Sequence, residues 1–189
     1  MKNVLKTSNS KWLIVIIAWT FFITFFIGIL SEKISDSLPV IIAFFILFFI
    51  IGLGIFFDLL GVSVNVVDIR IFHAMAANKN EQGKYAVFLC KNAEKVSNFC
   101  NDVIGDICGI ISGAIGSGII YRLAANLSFT NLAIISALFT ALISSFTIAG
   151  KAIGKMIAME SSRDIVLFMS KFIQFFQERL KINILGKKA

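Results

Sequence analysis

The sequence predicts an all-α, polytopic membrane protein, on three observations. Hydrophobic residues fill 58% of its 189 positions and charged residues only 15%. A water-soluble domain of this size cannot hide so much apolar surface, because its surface-to-volume ratio is too high; a bilayer serves as the apolar solvent instead. The mean hydropathy is +0.88, and the apolar residues, 20 Phe among them, gather into long runs. The single proline of the chain suits long, uninterrupted helices. The expected architecture has about four transmembrane helices, a cytoplasmic juxtamembrane helical segment and a C-terminal amphipathic helix.

The first apolar run covers residues 12–30, ~28 Å of helix and enough to span. Lys2, Lys6 and Lys11 precede it as in a signal peptide. The run is longer than a signal core and lacks a small-x-small cleavage site, so it reads as an uncleaved anchor. Residues 31–38 form a short polar turn, and Pro39 opens the next helix, where its missing N–H costs nothing. The second run, residues 40 to about 67, crosses and projects beyond the membrane core, with Asp58 inside it.

Residues 68–97 are polar, with amphipathic patches on either side of the turn from Asn78 to Gly83. Two short helices against the membrane surface fit that pattern. The third run, about residues 99–121, holds Asn101, Asp102, Asp106 and glycines at 105, 109, 113, 116 and 118. The fourth, residues 132 to about 150, carries Ser136, Thr140, Ser144, Ser145 and Thr147, and a charged, Phe-rich stretch follows from Lys151. There, polar residues recur in steps of three and four from Ser170 to Lys181, giving a helix one wet face. Its Phe residues form the apolar face, expected on the membrane surface.

Charge sets the orientation. Three basic residues precede the first run, five lie in residues 68–97 and eight follow residue 150, while Lys33 and Arg122 stand alone in the other two connections. With four spans, the positive-inside rule puts both termini in the cytoplasm of a cell whose plasma membrane the chain crosses. The formal net charge of +7 is thus an orientation signal. No interleaved basic-aromatic groove or zinc-finger spacing supports nucleic acid as a partner. Cys90, Cys100 and Cys108 are an odd number without paired spacing and read as small buried apolar residues. His73, the only histidine, has no second metal ligand beside it and reads as an interfacial side chain. No nucleophile-base set, P-loop or dinucleotide fingerprint is usefully placed, so no enzyme is expected.

Ionisable residues inside spans are costly and are functional candidates by default. Asp58, Asp102 and Asp106 fall near the cytoplasmic ends of the second and third runs, at the depth of Ser63, Asn65, Ser145 and Thr147. Asp102 and Asp106 are four apart, on one helix face about 6 Å from each other. Oxygen-only ligands suit hard cations such as Mg²⁺, Ca²⁺ or Na⁺. A structural reading stands beside this one. Asp102 can sit at the interface near the positive end of its helix, with Asn98 and Asn101 as caps. Two readings also stand for Gly105, Gly109 and Gly113: close helix packing, within the chain or in a dimer, or a flexible helix lining an ion path.

Four stretches carry a family resemblance. They are Phe56-Phe57-Asp58 leading to Ile69-Arg70, the run KYAVFLCKNAEK from Lys84 to Lys95, Ile104-Gly105-Asp106, and Phe146-Thr147-Ile148-Ala149-Gly150-Lys151. In order and spacing, over residues 50–175, they resemble the DUF21 transmembrane domain of the CNNM/CorB/CorC family of magnesium transport proteins. That resemblance implies three spans, entering from outside and ending inside, with the first run as an addition. It divides the chain into residues 1–38 (N-terminal segment, anchor and outer loop), 39–175 (the DUF21-like domain) and 176–189 (a basic cytoplasmic tail). It also implies a homodimer and a divalent cation, Mg²⁺, as the transported ion.

The family's ion site uses serines and an acid of its first span, an asparagine of its middle span and a glutamate of its last. Here Asp58 stands near the serine position, Asp106 at an asparagine position and Thr147 at or beside the glutamate position, while Gly150 replaces a proline. Asp58 and Asp106 are therefore the expected direct or water-mediated ligands, with Asp102, Ser63 and Thr147 assisting. The family's CBS pair and C-terminal transporter-associated domain have no counterpart in these residues, so loss of nucleotide-linked regulation is expected. The alternative is a membrane scaffold or partner subunit that keeps the fold and has lost the ion site.

Overall fold

A computed structural model describes residues 14–15, 17–26, 28–29, 39–126 and 132–180, and every regular element among them is helical. In chain order they are α1 (Ile17–Phe26), α2 (Val40–Val66), α3 (Ile69–Ala77), α4 (Glu81–Lys91), α5 (Ala93–Asn98), a π-helical turn (Phe99–Ile104), α6 (Gly105–Asn126), α7 (Leu132–Glu160) and α8 (Ser162–Leu180). Among the described residues three helices are long and apolar enough to cross a membrane: Val40–Val66, Ala93–Leu123 and Ala133–Glu160. As described, α1 covers about 15 Å, half a bilayer core. The remainder of the first run lies partly outside the described residues. The turn at 31–38 and residues 181–189 lie outside them entirely.

Two expectations about boundaries are corrected. The helix of the fourth run does not stop with its apolar residues near Gly150: α7 continues unbroken to Glu160. Lys151 and Lys155 are good helix formers four apart, and no proline interrupts them. The third helix begins at Ala93 rather than near residue 99, so Asn98 and Asn101 lie inside a continuous helix and cap nothing.

The chain divides into two compact units, Met1–Gly54 with Gly105–Ile148 and Ile55–Ile104 with Ala149–Ala189. In the first, α6 buries Ile107, Ile111, Ile115 and Ile119, an unbroken i+4 stripe, and α2 buries Ala43, Leu47 and Ile51. A Cβ on Gly54 would stand 3.0 Å from Cys108 Cβ, and one on Gly116 would stand 2.8 Å from Ile143 Cδ1. Phe44 of α2 and Phe139 of α7 meet edge to face at 5.8 Å. By contrast, a Cβ on Gly109 or Gly113 would meet nothing within 4 Å. Close packing accounts for Gly116 but not for those two.

The second unit is built differently. Asp68 Oδ1 accepts the Arg70 N–H at 2.9 Å and Asn80 Oδ1 accepts the Gln82 N–H at 2.9 Å, so α3 and α4 each start on a side-chain cap. The hydrogen bonds from Arg70, side chain first and then backbone, hold the Asp68 carboxyl below its ordinary value. Between α3 and α4, Lys79 takes a left-handed φ of 61°. A Cβ on Gly83 would stand 2.7 Å from Ala76 N, so only glycine lets α4 fold back so closely on α3. Val64, Phe72, Ala86, Leu89 and Val166 form the core of this unit.

Helix α8 has three faces rather than two. Val166 and Ser170 are fully buried. Phe168, Phe172, Phe175 and Phe176 are exposed on a second face, and Arg163, Asp164 and Lys171 are exposed on a third.

Candidate functional site

The polar seam of the second unit begins with spacing on α2. Asp58, Gly61 and Asn65 are separated by three and four residues, so they share one face over two turns. On the facing helix Ser97 and Asn101 are four apart. Asn65 Nδ2 donates to Ser97 Oγ at 2.7 Å, and Asn101 Nδ2 donates to the same oxygen at 3.2 Å. Asn65 thus pairs with Ser97 while Gly61 faces Asn101, so the two segments run antiparallel. A Cβ at Gly61 would collide with Asn101 Oδ1; the missing side chain is what lets the amide enter.

Two oxygens of this seam are buried and have no hydrogen-bond partner: Asp58 Oδ2 and Asn101 Oδ1. Asp58 is only 5% exposed. Burying a carboxylate without a partner is expensive, and such groups pair, gain a proton or hold a cation. Asn101 belongs to the π-helical turn Phe99–Ile104. Such turns widen the backbone by one residue and recur at functional sites.

The expected ligands fall in both units. Asp58 lies in the buried seam. Ser63 is fully buried, but its Oγ donates to Leu59 O at 2.8 Å, so its hydroxyl hydrogen is spent on its own helix. Asp102 is exposed, with half-buried Asn101 and buried Val103 on either side, and so points away from the seam.

Asp106 and Thr147 belong to the first unit. Asp106 is exposed, one turn from Gly109 and two from Gly113 on the same α6 face. That face and α7 bound a groove of about 250 Å³ lined by Gly109, Gly113, Ser117, Thr140, Ser144 and Thr147 among others. Thr147 Oγ1 donates to Ile143 O at 2.8 Å. Among the described residues no three His, Cys, Asp or Glu side chains gather as a metal site. His73 is exposed on α3.

Sequence reasoning does not find Ser97, at the end of the polar stretch 68–97, and assigns Asn101 to a cap. The signal is nonetheless present: a Ser-x-x-x-Asn pair facing a Gly-x-x-x-Asn pair is a small-polar repeat at helical spacing. The cysteines all stand as thiols. Outside the apolar helices, burial pushes the Cys90 thiol up to about 11.

The chain matches no protein-family model, no curated protein and no solved structure. Its functional reading rests on its own residues.

Proposed function

We propose that this is a multi-pass membrane protein that binds or moves a cation, a divalent one such as Mg²⁺, with Asp58 as the charged ligand. One observation carries the reading: the unpartnered, buried Asp58 Oδ2 and Asn101 Oδ1 lie on facing stripes of one unit, one helical turn apart in register. A cation with part of its water shell supplies what both oxygens lack, and Mg²⁺ commonly takes one or two carboxylates and keeps waters. The DUF21-like order of segments supports the same assignment. The resemblance sets Asp106, not Asn101, at the family's asparagine position, so its support extends to Asp58 and the cation alone. In this reading the chain spans four times with both ends in the cytoplasm, pairs as a homodimer and has no enzymatic activity.

The test is thermal unfolding of the full chain in detergent against Mg²⁺, Mn²⁺, Ca²⁺ and Na⁺. A ligand at a hundred times its Kd stabilises the native state by about 2.7 kcal/mol, so millimolar Mg²⁺ should raise the Tm. Asp58→Asn and Asn101→Ala should abolish the rise while leaving the chain folded. An Mg²⁺-dependent rise that survives Asp58→Asn would refute the assignment. Topology is checked separately: a cysteine placed at residue 80 should be labelled only from the cytoplasmic side.

A second reading has its own support. Asp102 and Asp106 are exposed, and no three-ligand cluster forms among the described residues. A scaffold or partner subunit with a lost site accounts for that, and it predicts no Tm shift with any of the four cations.

A further inference from the structure

The second unit contains a cavity of about 280 Å³ that the cation reading does not use. Phe56, Phe57 and Leu60 of α2 line one side, Cys100 of the π-helical turn another, and Phe168, Met169, Phe172 and Ile173 of α8 the third. An apolar cavity of ~150 Å³ already stays dry and admits a small hydrocarbon; this one is nearly twice that size and lacks a polar lining. Leu60 and Cys100 at its floor are buried, while Phe56, Phe168 and Phe172 at its mouth are exposed. It therefore opens along the aromatic face of α8.

That face also carries charge. Arg179 lies among the exposed phenylalanines, with its guanidinium carbon 5.6 Å from the Phe175 ring centroid. Lys171, exposed on the adjoining face, stands three residues after Phe168 and four before Phe175. From residue 151 onward the chain holds eight basic residues against Glu160, Asp164 and Glu178. A helix with a Phe face edged by Lys and Arg lies in the membrane interface. Basic residues there attract anionic headgroups. We propose that this cavity seats an acyl chain of an anionic phospholipid whose headgroup is held by Lys171 and Arg179. A neutral lipid fits the cavity but not the cations, and a water-soluble anion fits the cations but not the cavity.

The experiment uses the full chain in mild detergent, titrated with phosphatidylglycerol or phosphatidylcholine. Bound lipid is counted by native mass spectrometry. Labelling of Cys100 by a maleimide is followed in a Cys90→Ser, Cys108→Ala background. Phosphatidylglycerol should bind in preference and slow Cys100 labelling over the same concentration range. Lys171→Gln and Arg179→Gln should each weaken its binding about fivefold, the worth of one interfacial cation, and leave phosphatidylcholine unaffected. Equal retention of both lipids, or Cys100 labelling indifferent to lipid, would overturn the proposal. So would a lipid-independent dimer that shields Cys100, which would assign the face to a second copy. None of these readouts involves Mg²⁺, so the lipid site and the cation site stand or fall separately.

Discussion

The second unit buries Phe72, Ala86, Leu89 and Val166 around helices with side-chain caps, as a water-soluble domain does. The first unit buries apolar faces of α2 and α6 but none of its part of α7. Of the apolar window of Ala93–Leu123, most of which lies in this unit, 56% is buried against protein, whereas none of that of Ala133–Glu160 is. Phe45, Phe49, Leu138, Leu142 and Phe146 are all exposed. The contrast separates two uses of apolar residues. Around Phe72 they hold side chains together against water; along α7 they face a solvent as apolar as themselves, where association depends on close fit and small residues. The polar groups divide likewise. Hydroxyls of the first unit bond to their own helix one turn back, as Ser112, Ser117 and Thr147 do. In the second unit Ser63 and Ser170 do the same, but Asn65 bonds across helices to Ser97, which also accepts the Asn101 amide of its own helix.

Truncating one phenylalanine in each unit should give the largest contrast between them. Phe72 is fully buried, so Phe72→Ala should cost about 3–5 kcal/mol. Phe146 is 63% exposed, and Phe146→Ala should stay within about 0.5 kcal/mol. Chemical unfolding in detergent measures both, and equal losses would erase the distinction. A smaller effect tests the seam. Gly61→Leu drives bulk into Asn101 and should cost about 1–3 kcal/mol, whereas Gly109→Leu enters open space and should leave the Tm close to that of the parent chain.

Hydroxyl deletions refine the contrast further. Ser97→Ala removes an acceptor shared by two asparagine amides and should destabilise by about 1–3 kcal/mol. Ser117→Ala, on an exposed site bonded to Ala114 O, should be nearly silent in the same unfolding assay. The mildest prediction concerns Cys90. Burial raises its thiol to about 11, so the thiolate that reacts with maleimide is scarce at neutral pH. Its labelling rate should still climb roughly tenfold per pH unit past pH 8.5, where an ordinary exposed thiol levels off. A plateau near pH 8.5 would show Cys90 to be more open than its surroundings imply.

Much of the architecture is legible in the sequence. The start of α2 at Pro39, the α3–α4 pair and the amphipathic α8 follow from local signals, a helix-opening proline, a polar turn and polar steps of three and four, though the turn expected over Asn78–Gly83 ends at Asn80, where α4 is capped. The end of α7 and the start of the third helix are not, because charge ends an apolar run without ending a helix. Lys151 and Glu94 are good helix formers that leave the apolar run and keep the backbone hydrogen bonding intact. The site is legible only in part. Asp58 stands out because a carboxylate in an apolar run is expensive anywhere. Asn101 and Ser97 do not, because a small polar residue near a helix end has several ordinary uses.

Hydrophobic runs and their flanking residues suffice to make the chain helical and to give it helices long and apolar enough to cross a membrane. Both are properties of contiguous sequence. That Asp58 is buried while Asp102 and Asp106 are exposed emerges only when the helices pack. Packing alone brings Asn65 to Ser97, and Asn101 against Gly61, which makes room for it. Those outcomes depend on which helix face meets another helix, and here the π-helical turn intervenes: one wider turn shifts the phase of every residue beyond it. Helices as evenly apolar around their circumference as α2 carry almost no record of that phase in their sequence.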